Sequence, residues 1–146
     1  MAVAHVSAGL ILSQKIKSGK WIFLSCLALH FVCDAMPHWN PSLLAQPSLA
    51  VLDLLSAGLV LGIWGNLDRR TFWTVLGSTL PDVVFVCEWL FFGGVVSSFT
   101  VFHGEIQTLK LDPSSGILVQ ILFLGLLYRC CFPEKFYREE LGVKRV

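Results

Sequence analysis

Residues 29–40 read Leu29-His30-Phe31-Val32-Cys33-Asp34-Ala35-Met36-Pro37-His38-Trp39-Asn40, an apolar stretch that carries two histidines and an aspartate. In a helix, His30 and Asp34 lie one turn apart on the same face, so an imidazole and a carboxylate point at one spot. Pro37 ends the helix, and His38 follows at its end. Burial of such a pair requires compensation, which a metal ion, a proton relay or a hydrogen-bonded packing contact would supply.

The composition of the whole chain is that of a membrane protein or of a protein with an unusually apolar core. Its 146 residues are 55% hydrophobic and 14% charged, and the mean hydropathy is +0.70, whereas soluble domains carry roughly 25% charged residues. The net charge is +1 and no basic stripe with interleaved aromatic residues is present, so we expect no nucleic-acid partner. The five cysteines form no CxxC pair, which argues against a zinc finger and a disulfide framework.

The apolar runs predict an all-α integral membrane bundle of about five helices. The first helix is short, because its run is below the ~20 residues that a full span needs. The fourth is predicted to be broken at Pro81, since proline removes the hydrogen bond to the carbonyl of Gly77. The predicted ranges are 2–14, 21–36, 47–64, 72–92 and 114–132. We expect residues 1–132 to form one transmembrane domain and residues 133–146 a charged C-terminal tail.

The basic residues predict the topology. Lysines follow the first helix, Arg69 and Arg70 follow the third, and further basic residues lie in the tail. All three groups fall on one side of the membrane if five helices alternate. The positive-inside rule then places the N-terminus outside and the C-terminus in the cytoplasm of a multi-pass protein of the cell membrane.

Seven ionisable side chains converge between mid-membrane and the outer face in this topology. Histidine nitrogens and carboxylate oxygens are the ligands that zinc and similar divalent ions use, and a bound ion lowers the pKa of a water molecule to about 7. A second carboxylate would serve as general base or orient a ligand. Packing contacts for Asp53 and a helix cap for Asp82 are the structural alternatives. The seven are His5, His30, Asp34, His38, Asp53, Asp82 and His103.

The chain resembles a family of small bacterial integral-membrane proteins described as membrane-bound, metal-dependent hydrolase-like. The resemblance spans about residues 3–107, and the block from His30 to Trp39 is its most specific part. It implies a metal site in the bacterial inner membrane. Asn40 stands where many relatives have an acid, and Gln107 where a second histidine would follow His103. The metal ligands that the resemblance implies are His5, His30, Asp34, His38, Asp82 and His103.

The resulting hypothesis is a membrane-embedded hydrolase that uses a divalent metal, with zinc expected, on a lipid or membrane-associated ester or phosphoester. Asp82 and Asp53 are its candidate catalytic carboxylates. A transporter or proton-coupled permease would use the same groups as an ion pathway. A non-enzymatic membrane scaffold would let them satisfy one another. The sequence leaves the substrate, the metal and the oligomeric state open.

Overall fold

The structure, a computed structural model, describes residues 2–38, 47–64, 68–91, 101–102, 105–106 and 111–132. The described residues include five helices of 12 to 23 residues, so the all-α prediction is confirmed. The predicted bounds differ from the observed ones by no more than three residues. The predicted tail, 133–146, lies outside the described residues. The helices are α1 (Ala2–Ser13), α2 (Gly19–Ala35), α3 (Pro47–Trp64), α4 (Arg69–Phe91) and α5 (Pro113–Cys131).

The short helix α1 lies at the centre of the fold and contacts each of the other four helices. Nine of its 12 residues are buried. Ala4, Ala8 and Gly9 have small side chains, which let the neighbouring helices approach closely. Val6 and Leu10 pack with Ala57 of α3 in the apolar part of the core. Every side chain on α1 is therefore in or near the interior, whatever its polarity.

Charged side chains of two neighbouring helices hold the two ends of α1. The carboxylate of Asp53, on α3, accepts hydrogen bonds from the backbone N–H of Ala2 at 2.6 Å and of Val3 at 3.2 Å. At the other end, Nη1 of Arg70, on α4, donates to the carbonyl of Ser13 at 3.0 Å. An anion at the N-terminus and a cation at the C-terminus both match the helix dipole. These bonds fix α1 along its axis between α3 and α4.

Glycines allow α1, α2 and α4 to pack at very short range. A Cβ at Gly77 of α4 would lie 2.6 Å from the carbonyl oxygen of Phe23 and 2.9 Å from Cβ of Cys26, both on α2. A Cβ at Gly9 of α1 would overlap the hydroxyl of Ser78 on α4. At this level α4 therefore meets the backbone of α2, and α1 meets side chains of both helices; no other residue type fits at Gly9 or Gly77 without a shift.

The predicted break of the fourth helix at Pro81 is wrong, because α4 is one helix from Arg69 to Phe91 with Pro81 inside it. Proline removes only one N–H donor, and a packed environment can compensate for that loss. Pro81 is fully buried, and the helix continues through it to Phe91. Asp82 consequently lies within a continuous helix and does not cap a second one.

Asp112 marks the start of α5. Its carboxylate accepts hydrogen bonds from the backbone N–H groups of Ser114 and Ser115, at 3.0 and 3.1 Å, and Pro113 occupies the first helical turn. The hydroxyl of Ser114 also donates to this carboxylate. That hydroxyl bond above all, together with the bonds from Ser115 and the backbone, stabilises the ionised form and holds the pKa of Asp112 well below its usual range. The N-cap and the proline explain why the helix begins here.

Among the described residues, many large apolar side chains are exposed, and polar side chains are about as numerous in the interior as hydrophobic ones. On α3, for example, Leu59 is 65% exposed and Ile63 is 68% exposed. One helix in the described part of the chain, α5, is long and apolar enough to cross a membrane by length and composition, and 11% of that stretch is buried. Helix α1 and residues Val51–Ile63 of α3 are apolar but shorter.

Basic side chains collect at one end of the bundle. The C-terminus of α1 meets the N-terminus of α4 through the Ser13–Arg70 hydrogen bond, and the side chain of Lys15 lies against Phe132, just after α5. Asp68 caps α4 among these basic residues by accepting a hydrogen bond from Thr71 N. We call this the basic end, and its cations are Lys15, Lys17, Lys20, Arg69, Arg70 and Arg129.

The close contact at Gly77 predicts a position-specific effect of alanine. We expect Gly77→Ala to destabilise the protein by about 1–3 kcal/mol, because the added methyl group meets the backbone of α2. The matched control is Gly58→Ala on α3, where a Cβ meets nothing within 4 Å and alanine is the better helix former. Thermal unfolding in detergent measures both variants. Equal stability of the two variants would contradict the packing described here.

Candidate metal centre

Four ionisable side chains from three helices meet near the N-terminal half of α1. His5 comes from α1, His30 and Asp34 from α2, and Asp82 from α4. We call these four residues the His/Asp cluster. His5 lies one turn from the start of α1, and Asp34 is the next-to-last residue of α2. The cluster is therefore close to the end of the bundle opposite the basic end.

The carboxylate of Asp34 lies between the two imidazoles. Its Oδ1 is 3.1 Å from Nε2 of His5, and its Oδ2 is 3.1 Å from Nε2 of His30. The two rings lie close together, with centroids 4.3 Å apart and planes inclined by 34°. All three side chains are at most 3% exposed. A single buried carboxylate thus joins α1 to α2.

A backbone carbonyl fixes the orientation of His30. Its Nδ1 lies 2.7 Å from the carbonyl oxygen of Ser78 on α4, and because a carbonyl only accepts, Nδ1 carries the proton. Nε2 then faces the carboxylates of Asp34 and Asp82 with either a second proton or a lone pair. A ring nitrogen held by a carbonyl in this way is typical of histidine ligands of metals.

Asp82 forms the accessible side of the cluster. Its Oδ1 lies 3.8 Å from Nε2 of His30, and its Oδ2 lies 4.0 Å from Nδ1 of His5. The side chain is 40% exposed, whereas that of Asp34 is fully buried. The two carboxylates therefore flank the imidazoles in different environments, one enclosed and one open.

The cluster has the donor set and the dimensions of a metal site. His5, His30 and Asp34 each offer one ligand atom, and these atoms all lie within 4.8 Å of one another. Ligand bonds of ~2.0–2.2 Å put the ligand atoms of a tetrahedral zinc site somewhat closer together, so small side-chain rotations would complete it. Two carboxylates with two neutral imidazoles carry a charge of −2, which a divalent cation neutralises.

His38 lies outside the group of three but has the same arrangement at its ring. Its Nδ1 is held 2.7 Å from the carbonyl oxygen of Met36, and its Nε2 is buried without a hydrogen-bond partner in the described part of the chain. The N–H of Leu111 donates to the His38 carbonyl at 3.1 Å and ties this segment to the start of α5. His38 therefore presents an acceptor nitrogen near the end of α2.

Two other predicted site residues are not part of the cluster as the structure describes it. Asp53, a predicted catalytic carboxylate, bonds the backbone of Ala2 and Val3 at the start of α1, a contact that matches the packing alternative. His103, a predicted metal ligand, lies outside the described residues. The remaining predicted residues are the four of the His/Asp cluster and His38.

Two parts of the site were missed by the sequence-based reasoning. The sequence offers no signal that His5 pairs with Asp34, since this contact depends on the central position of α1. The role of the Ser78 carbonyl also cannot be predicted from residue type, because every residue has a backbone carbonyl. The proximity of Ser78 to Pro81 is a weak clue, because proline disturbs the backbone bonds of the turn before it.

Comparison with protein-family models, curated proteins and solved structures found no match. The resemblance carried by the block from His30 to Trp39 therefore rests on sequence motifs alone and stays a prediction.

The contacts of Asp53 predict a structural effect of its removal. We expect Asp53→Ala to lower stability by about 1 kcal/mol, because the first N–H groups of α1 lose their acceptor. Ser56→Ala, one turn away on α3, should stay within about 0.5 kcal/mol of the wild type. Thermal unfolding and metal analysis measure the effect. Unchanged stability with lost metal would instead place Asp53 in the metal site.

Proposed function

We propose that this protein is a multi-pass membrane protein whose His/Asp cluster holds a divalent metal ion, with zinc expected, and hydrolyses a lipid or membrane-associated ester or phosphoester. The observation that carries the proposal is the burial of the Asp34 carboxylate at 3.1 Å from two imidazoles, with Asp82 open beside them.

The apolar exterior supports placement in a bilayer. Soluble monomers rarely expose contiguous apolar patches larger than a few hundred Å², yet large apolar side chains are exposed on α2, α3, α4 and α5. An interior with buried polar groups and an exterior of leucine and isoleucine is the arrangement that a lipid solvent favours.

The basic end supports an orientation with the C-terminus in the cytoplasm. Cations collect where α1 ends and α2 and α4 begin, as the positive-inside rule requires of the cytoplasmic face. The N-terminus of α1 is then outside. The His/Asp cluster, near the opposite end, opens towards the non-cytoplasmic side, where an amphiphilic substrate can present its ester group.

In the proposed reaction, His5, His30 and Asp34 would hold the ion, and Asp82 would act on the substrate side. A bound divalent ion supplies a Lewis acid and makes water more acidic. The Ser78 carbonyl keeps the proton of His30 on Nδ1, so the lone pair of Nε2 would be available to the metal ion. Asp82, the exposed carboxylate, accepts the proton of the attacking water and later delivers it to the leaving oxygen.

The permease alternative requires a polar path from the cluster to the basic end. Between the cluster and the basic end, α1, α2 and α4 meet at Gly9 and Gly77 with no space for a methyl group. This close packing favours a site with one opening over a conduit. The scaffold alternative needs only the contacts of Asp34 with the two histidines, so metal binding decides between it and the hydrolase.

Asp34→Asn separates the metal site from the scaffold. Asparagine keeps the size and one acceptor oxygen but removes the charge that offsets a cation. We expect zinc affinity to fall about 10- to 100-fold or more, and chelator to lower the unfolding temperature of the wild type but not of this variant. Metal analysis and thermal unfolding in detergent measure both effects.

Asp53→Asn is the matched control, because it makes the same change in an aspartate that bonds backbone N–H groups. It should retain the metal. A wild type that binds no zinc and ignores chelator would overturn the metal proposal and favour the scaffold.

Asp82→Asn tests hydrolysis itself. We expect kcat to fall about 10²- to 10⁴-fold, the usual loss when a general base is removed, while most of the zinc is retained. A chromogenic long-chain ester and a phosphodiester in mixed micelles with zinc are the substrates, and Asp53→Asn is again the control. Metal binding without turnover, together with proton flux in vesicles, would favour the permease.

A further inference from the structure

A second face of α1 lines an apolar groove on the side away from the His/Asp cluster. Ser7 lies two residues beyond His5, which is a rotation of about 200° around the helix. The groove runs between α1, α3 and α5, and its volume is about 380 Å³. Its lining residues are Ser7, Ile11, Val60, Ile63, Leu124 and Tyr128.

The groove reaches the basic end of the bundle. Ile63 and Tyr128 lie within the last turn of α3 and of α5, and Ile11 within the last turn of α1. The deeper part of the groove, at Ser7 and Leu124, lies towards mid-bundle. One end of the groove is therefore level with the basic residues, and the other lies among apolar side chains.

A cation stands at the mouth of the groove. The ring of Tyr128 packs on that of Phe132, with centroids 5.0 Å apart, and Nζ of Lys15 lies 4.4 Å from the centroid of the Phe132 ring. Lys15 is exposed and has no carboxylate partner within the described ranges. Its ammonium is thus held in place by an aromatic ring and remains available to an anion.

We propose that this groove binds an anionic phospholipid, with an acyl chain along α1 between α3 and α5 and the phosphate at Lys15. Hydrocarbon matches the apolar lining, and the volume lies within the ~300–1,000 Å³ of ordinary ligand pockets. A lipid places its headgroup at the helix ends and its chains towards mid-membrane, which is how the cation and the groove are arranged here. The sign of the charge selects an anionic headgroup.

This inference rests on the proposed membrane placement but not on the metal or the reaction. The groove and the cluster occupy different faces of α1, so lipid binding and metal binding can be measured separately. A second copy of the chain is the competing occupant, and the same experiment detects it.

Native mass spectrometry of the full chain, extracted in mild detergent from vesicles of equal phosphatidylglycerol and phosphatidylcholine, tests the proposal. We expect one retained phosphatidylglycerol in clear preference to phosphatidylcholine. Lys15→Gln should reduce that preference about fivefold, the effect of one cation near a lipid surface. Lys20→Gln, an exposed lysine of the basic end on α2, is the matched control and should leave the preference unchanged.

The acyl-chain part of the site has its own variant pair. Val60→Trp fills the groove and should abolish retention of either lipid, whereas Leu59→Trp, at a position 65% exposed, should not. Circular dichroism verifies that both variants keep their helices, and Lys15→Gln, a surface change, tests the site even if Val60→Trp does not fold.

Three results would overturn the proposal: no retained lipid, no headgroup preference in the wild type, or equal retention in Val60→Trp and Leu59→Trp. A lipid-free dimer that Val60→Trp disrupts would assign the groove to a second copy. Recovery of the chain in the aqueous fraction without detergent would overturn the membrane placement as well. This measurement distinguishes failure of the lipid site from failure of the proposed membrane placement.

Discussion

The carboxylate of Asp34 is the group around which the rest of the structure is arranged. A buried charge is tolerated only with close, well-oriented partners, and Asp34 has one imidazole on each oxygen. One partner, His30, lies on its own helix. The other, His5, lies on α1, so α1 has to lie inside the bundle. A central helix must in turn have small side chains and satisfied ends, and α1 has Gly9 at its tightest contact and charged partners at both termini.

The sequence predicts the local part of this arrangement well and the long-range part poorly. The spacing of His30 and Asp34 places both on one face of α2 because helical periodicity is a local property, and proline and basic residues mark helix ends for the same reason. The pairing of His5 with Asp34 and the capping of α1 by Asp53 connect residues 29 and about 50 positions apart, which no local pattern specifies. Pro81 does not break α4, because its tertiary environment overrides the intrinsic tendency of proline to end a helix. The residue is fully buried within α4.

The distribution of polarity also follows from α1. A soluble protein of this size would bury its leucines and expose its aspartates. Here Asp34 is enclosed while leucines of α3 and α5 are exposed. In the proposed bilayer, the hydrophobic effect would not hold such helices together, because lipid chains are as apolar as their exposed faces. Close glycine contacts and buried hydrogen bonds remain as the cohesive interactions, and both are concentrated where α1, α2 and α4 meet.

The position of Asp82 supports the proposed metal site over a purely structural network. With the proton of His30 on Nδ1, its Nε2 needs either a second proton or a cation to face Asp34 at 3.1 Å. A second proton, on Nε2 of His30, would balance the charge of Asp34 but not that of a second carboxylate. The Asp82 carboxylate lies 3.8 and 4.0 Å from the rings, and its charge adds to that of Asp34. The proposed divalent cation would balance both carboxylates, and the open position of Asp82 would then have a chemical role.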